Sequence, residues 1–183
     1  MAQQKLIDMF LPAEQDPRES GTSLGDERAT YAEYLRCQRL TLEVKCQGLD
    51  AEQMARRSVE PSSLSLLGLV RHMAEVERSW FRRVMAGQDA PRRYSPEGEF
   101  DHDFDDAVAD PACVDEAWAA WREEVAFAEQ YLRDHDDMAM TAVTRHGDTV
   151  SLREVLVHMV EEYARHNGHA DLLRESIDGT VGE

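Results

Sequence analysis

The stretch EEYARHNGHADLL, running from Glu161 to Leu173, carries two histidines three residues apart, with Glu162 four residues before the first. On a helix, residues four apart stand one turn apart on the same face. The side chains of Glu162 and His166 can therefore meet at one point. A carboxylate and an imidazole suit a divalent ion such as zinc or nickel. With His158 as origin and 100° per residue, Glu162 falls at about 40°, His166 at about 80° and His169 at about 20°. The apolar positions Val155, Met159, Tyr163, Ala170 and Leu173 occupy about 60–140° on the same wheel. The polar stripe thus overlaps the rim of the buried face.

Two side chains seldom hold an ion alone, so a third ligand is expected from another helix. His72 is the candidate, because His102, His135 and His146 fall in turn-rich segments. It lies at the rim of the face formed by Leu69 and Val76. Three ligands leave a coordination position open, as a substrate-binding or catalytic metal requires. The spacing alone leaves a second reading open, in which the same residues are hydrogen-bonded polar groups at the edge of a core. Glu77 also falls inside an apolar arc, and a salt bridge to an arginine is expected for it.

These residues need helices to position them. Asp26 is an N-cap candidate for a first helix ending near Gly48. After a connection with a short turn at Ala51–Arg56, Ser62 or Ser63 caps a second helix that runs to Gly87 and carries His72. Residues 88–110 are acidic and rich in turn formers, and read as a long loop. Asp110-Pro111 pairs a cap with an N1 proline and opens a third helix ending near Asp134. Residues 135–150 have room for a small hairpin turning at His146-Gly147-Asp148. Ser151 and Glu154 form a capping box for a fourth helix reaching about Ile177. The expected fold is all-α: an antiparallel four-helix bundle with long inter-helix connections over residues 24–183, preceded by an N-terminal arm, residues 1–23, with one short turn near Leu6–Leu11.

Composition narrows the function classes. The 183-residue chain has 37 acidic and 20 basic side chains, a net charge of -17. That balance argues against nucleic acid and against an anionic membrane surface as partners. No stretch reaches the ~18 consecutive apolar residues of a membrane span, and the N-terminus lacks the apolar core of a signal peptide, so a cytoplasmic protein is expected. Cys37, Cys46 and Cys113 are odd in number and include no CxxC, which fits reduced structural thiols.

The strings SSLSLLGLVRHMAEVERSWF and SLREVLVHMVEEYARHNGHADLLRESIDG resemble the DinB-like superfamily, and within it the actinobacterial mini-circle branch. The resemblance covers roughly residues 24–183. It implies a four-helix bundle of DinB-like type holding a divalent metal through a histidine on the second helix and an i, i+4 pair on the last. Those positions are His72, Glu162 and His166. Many members have histidine where this chain has Glu162, whereas the mycothiol-dependent maleylpyruvate isomerases are similar in using a Glu-x-x-x-His pair.

Characterised relatives imply S-transferase or isomerase chemistry with a low-molecular-weight thiol: bacillithiol, mycothiol or glutathione. A thiol near pKa 8.5 is mostly protonated at neutral pH, and a metal ion stabilises its thiolate beside a small-molecule electrophile. On this expectation His169 and Tyr163 orient groups or move a proton, and Arg165 and Arg174 hold an anionic part of thiol or substrate. His158 has no role in the resemblance. Metal-dependent hydrolysis and a non-catalytic metal-binding stress or regulatory protein are the alternatives, and homodimerisation through a helix face stays open.

Overall fold

The computed structural model describes residues 10–21, 24–95 and 101–182. Helix α1 spans Glu27–Cys46 and starts where the Asp26 carboxylate accepts from the Ala29 amide at 2.8 Å. Helix α2, Ala51–Ala55, opens on a reciprocal capping box between Asp50 and Gln53. Helix α3, Leu66–Glu77, runs on without a break into π-helical turns over Arg78–Met85. A short helix α4, His102–Asp105, precedes α5, Pro111–Asp134. Strands β1, Thr141–Val143, and β2, Thr149–Ser151, pair antiparallel with Ala142 opposite Val150. Helix α6, Leu152–Asp178, carries the Ser151–Glu154 capping box and ends on Gly179, whose φ of 75° suits a residue without a Cβ.

Among the described residues the structure is mostly helical, with one hairpin. Helix α1 packs on α6, α3 packs on α5, and α3 also meets α6. Leu35 and Leu42 of α1, Leu69 and Met73 of α3, Ala128 of α5, and Leu156 and Met159 of α6 are sealed between them. Each such Leu or Met contributes roughly 1.5–3 kcal/mol of burial. The helices that carry His72 and Glu162 are therefore held together by apolar packing beside those residues. Among the described residues, no helix is long and apolar enough to cross a membrane.

A polar network crosses this core. Arg39 of α1 donates two parallel 2.7 Å bonds to Glu77 of α3. The Tyr163 hydroxyl of α6 donates to Glu77 at 2.8 Å and accepts from the Trp121 indole of α5 at 2.8 Å. Glu77 and Tyr163 are both 0% exposed. Burying an ion pair is costly in desolvation, and here the cost is offset by saturation of both carboxylate oxygens. The arrangement ties four helices to one relative register. The salt bridge expected for Glu77 is thus present.

Several boundaries differ from the sequence expectation. Ser65 caps α3, accepting from the Gly68 amide at 3.1 Å, while Ser62 instead accepts from the Leu64 amide within the preceding turn. The acidic segment 88–110 contains α4, which packs on α3. The turn expected near Leu6–Leu11 lies mostly outside the described residues. Two 3₁₀ turns, Ala13–Gln15 and Pro17–Ser20, follow it, and the second packs on α1. All three cysteines are free.

Candidate metal centre

Helices α3 and α6 bring His72, Glu162 and His166 together. Each offers one ligand atom, and the three atoms lie within 4.8 Å of one another. Glu162 Oε2 is 3.5 Å from His166 Nε2, and the His72 and His166 ring centroids are 4.7 Å apart. Two ligands at about 2.1 Å from a tetrahedral ion stand about 3.4 Å from each other. The Glu162–His166 pair already has that separation. The three side chains are partly buried, between 13% exposed for His166 and 26% for His72, so the cluster lies at the rim of the core and opens outward.

Both imidazoles are engaged on the nitrogen facing away from the cluster. His72 Nδ1–H donates to Asp103 Oδ2 at 2.7 Å. His166 Nδ1 meets His169 Nδ1 at 3.4 Å. With Nδ1 occupied, Nε2 of each ring is the nitrogen left free to face an ion. Burial, followed by the neighbouring His72, His169 and Arg165, depresses the His166 pKa to about 4. His166 is therefore neutral at pH 7, the form that can donate a lone pair to a metal.

Asp103 reaches His72 because α4 lies close against α3. Gly68 permits this approach: a Cβ on it would stand 2.6 Å from Phe104 Cδ1 and 3.3 Å from Phe104 Cα. Phe104 also lies against the His72 ring, with centroids 5.3 Å apart. Gly68 and His72 are four residues apart on the same helix face. The small residue thus seats the element that carries the carboxylate one turn further along. Sequence spacing does not single out Asp103. The four aspartates Asp101, Asp103, Asp105 and Asp106 look alike in sequence, and only the docking of α4 distinguishes them.

His169 touches His166 and adjoins the cluster. His158 Nε2 is 3.4 Å from Glu162 Oε1, and its ring meets Trp80 edge-on at 4.7 Å. Arg165 is exposed and within 3.9 Å of Glu161. Tyr163 is not brought to the cluster, since its hydroxyl is committed to Glu77 and Trp121 in the core. Arg174 is likewise directed elsewhere. It donates to the carbonyls of Lys45 and Gln47 at the C-terminus of α1 and to Asp178. Its charge neutralises the last carbonyls of a helix there. Asp103, Gly68, Trp80 and His158 are the residues the geometry adds.

Residues 30–179 match the family described as Mycothiol-S-transferase. No curated protein matches the chain. Among solved structures, a conserved protein from Enterococcus faecalis is similar with a TM-score of 0.58 and 16% identity, over 85% of this chain and 99% of that one. At that identity the likeness is one of fold.

Proposed function

From the premise that the chain belongs to the mycothiol-S-transferase family, we propose that it is a divalent-metal-dependent enzyme transferring a low-molecular-weight thiol of the mycothiol type to a small electrophile. The observation that carries this reading is the convergence of His72, Glu162 and His166 across two helices, with both histidines backed by a partner on Nδ1. Their nitrogen and oxygen donors suit zinc or nickel. An ion held by them would stabilise the thiolate at neutral pH. The family fold, a DinB-like four-helix bundle, accounts for ligands on α3 and α6 meeting at one rim of the core.

The chain's own residues have separate tasks. Asp103 holds His72 in the tautomer that leaves Nε2 free. We assign to His169 the holding or passing of a proton at the cluster's edge, supported by its contact with His166. His158 is placed to keep the Glu162 carboxylate oriented while Trp80 covers its ring. Tyr163 acts through the core by fixing α6 relative to α3 and α5 and is a positioning residue. Cys46 is not a nucleophile in this scheme, because burial pushes its thiol up to about 12.

The test is elemental analysis of the purified protein after exposure to zinc or nickel and desalting, beside His166→Ala. About one ion per chain, lost in the variant, is expected. Turnover of a fluorogenic alkyl halide is then measured with and without mycothiol. Turnover only with the thiol supports transfer, turnover without it supports the hydrolytic alternative, and no retained metal in the parent protein sinks both.

A further inference from the structure

A groove of about 1310 Å³ lies beside the candidate centre, between the π-helical turns after α3, the segment that follows them, and the β-hairpin. Its lining does not include His72, Glu162 or His166. It approaches them through Trp80, which lines the groove and rests against His158, the neighbour of Glu162.

The charges in this groove contrast with those of the arginines beside it. Acids outnumber bases by 37 to 20, and most arginines are neutralised. Arg78 pairs with Glu124, Arg82 with Glu123 and Glu124, and Arg93 with the same two glutamates. Arg83 and Arg92, the next residues along from Arg82 and before Arg93, face the groove instead. Among the described residues neither has an ion pair or a hydrogen bond, although Asp89 and Asp148 also line the groove. Arg145, which also lines the groove, donates to His146 and has no ion pair among the described residues. In a protein with surplus carboxylates, arginines left unneutralised inside a concavity are available to a carboxylate, sulfonate or phosphate from outside. The walls between them are apolar, formed by Trp80, Val84, Pro91 and Val143.

We propose that this groove binds an amphipathic organic anion, its apolar body against Trp80, Val84 and Pro91 and its acidic group on Arg83 and Arg92. That the anion is the electrophile of the thiol-transfer reaction rests on the metal-centre reading; the binding itself does not. In that case Trp80 sets the direction of the substrate, with the acidic group away from the cluster and the reactive end toward it. The net negative field repels anions in general, so the arginines select by contact at the groove itself.

The test needs no turnover. The probe is anilinonaphthalene sulfonate, an apolar anion, with uncharged phenylnaphthylamine as its counterpart. Binding to the full chain is followed by fluorescence and equilibrium dialysis, in the presence of a chelator and again with His166→Ala. One sulfonate site is expected, unchanged by the chelator or by His166→Ala. The double variant Arg83→Gln/Arg92→Gln should weaken the sulfonate at least about tenfold while moving the neutral probe less than about twofold. Arg56→Gln removes an exposed arginine outside the groove, without an ion pair among the described residues, and should do nothing. Unchanged sulfonate affinity in the double variant, an equal loss for both probes, or an equal loss with Arg56→Gln would overturn the assignment. Loss of metal binding with the groove intact would instead count against the metal centre alone.

Discussion

Asp103→Ala separates the candidate metal centre from the fold more cleanly than substitution of His72, Glu162 or His166. The carboxylate accepts from His72 Nδ1 at 2.7 Å and is nearly buried, while His72 itself is about a quarter exposed. Removing the carboxylate frees the imidazole to rotate and to change tautomer, so that Nε2 no longer faces Glu162 and His166. Loss of such a partner lowers metal affinity by about 10–100-fold, equivalent to about 1.4–2.7 kcal/mol. The cost to the metal-free fold is smaller, about 1 kcal/mol or less, because the freed Nδ1–H can turn to water. Affinity is measured by competition with a chromophoric chelator, and stability by urea unfolding in excess chelator. Asp103→Asn keeps the size and removes the charge, and should fall between parent and Asp103→Ala. Asp105→Ala removes an exposed carboxylate paired with exposed Arg57 and should leave affinity unchanged. His72→Ala marks full loss of the ligand. If Asp103→Ala binds metal within about twofold of the parent while His72→Ala does not, the argument that the carboxylate aims the imidazole is refuted.

Gly68→Ala should lower metal affinity in the same direction as Asp103→Ala, and stability by about 1–3 kcal/mol, because the added Cβ collides with Phe104 and lifts α4; unchanged affinity would mean that Asp103 does not depend on this close approach. Tyr163→Phe should destabilise the fold by about 1–3 kcal/mol, since it strips a partner from Glu77 and from the Trp121 indole, and should leave metal content near one per chain. Metal loss without destabilisation would return Tyr163 to the site. In metal-free protein, His166 binds its proton only near pH 4 when folded, whereas unfolded histidine does so near 6.5. The unfolded state therefore takes up more protons between those values. Stability should fall by up to about 3 kcal/mol as pH drops from 6.5 to 4, and His166→Gln should flatten that part of the profile measured by urea unfolding.

The chain's own sequence carried much of the helical plan. Asp26, the Asp110-Pro111 step and the Ser151–Glu154 box cap helices where expected, because a cap depends on three or four neighbouring residues. The second helix start was displaced to Ser65. Ser62, Ser63 and Ser65 compete on equal terms in sequence, and packing of Leu66 and Leu67 into the core selects the last of them. Helix α4 was hidden in an acidic run, where four residues have too little periodicity to stand out.

The same division holds at the candidate site. Glu162, His166 and His169 share a stripe by helical spacing alone, so their neighbourhood was determined by the sequence. His72 follows from elimination among the histidines and from the resemblance, since nothing local links α3 to α6. Tyr163 and Arg174 shared the helix of the site, but spacing on one helix cannot say which neighbour an inward side chain meets. One met Glu77 and Trp121, and the other met the end of α1. Asp103, the seat that Gly68 provides and the unpaired arginines of the groove were decided only by tertiary structure. Each depends on two segments some 30 or more residues apart coming into contact, and that contact is set by how the apolar faces pack, which no local pattern records.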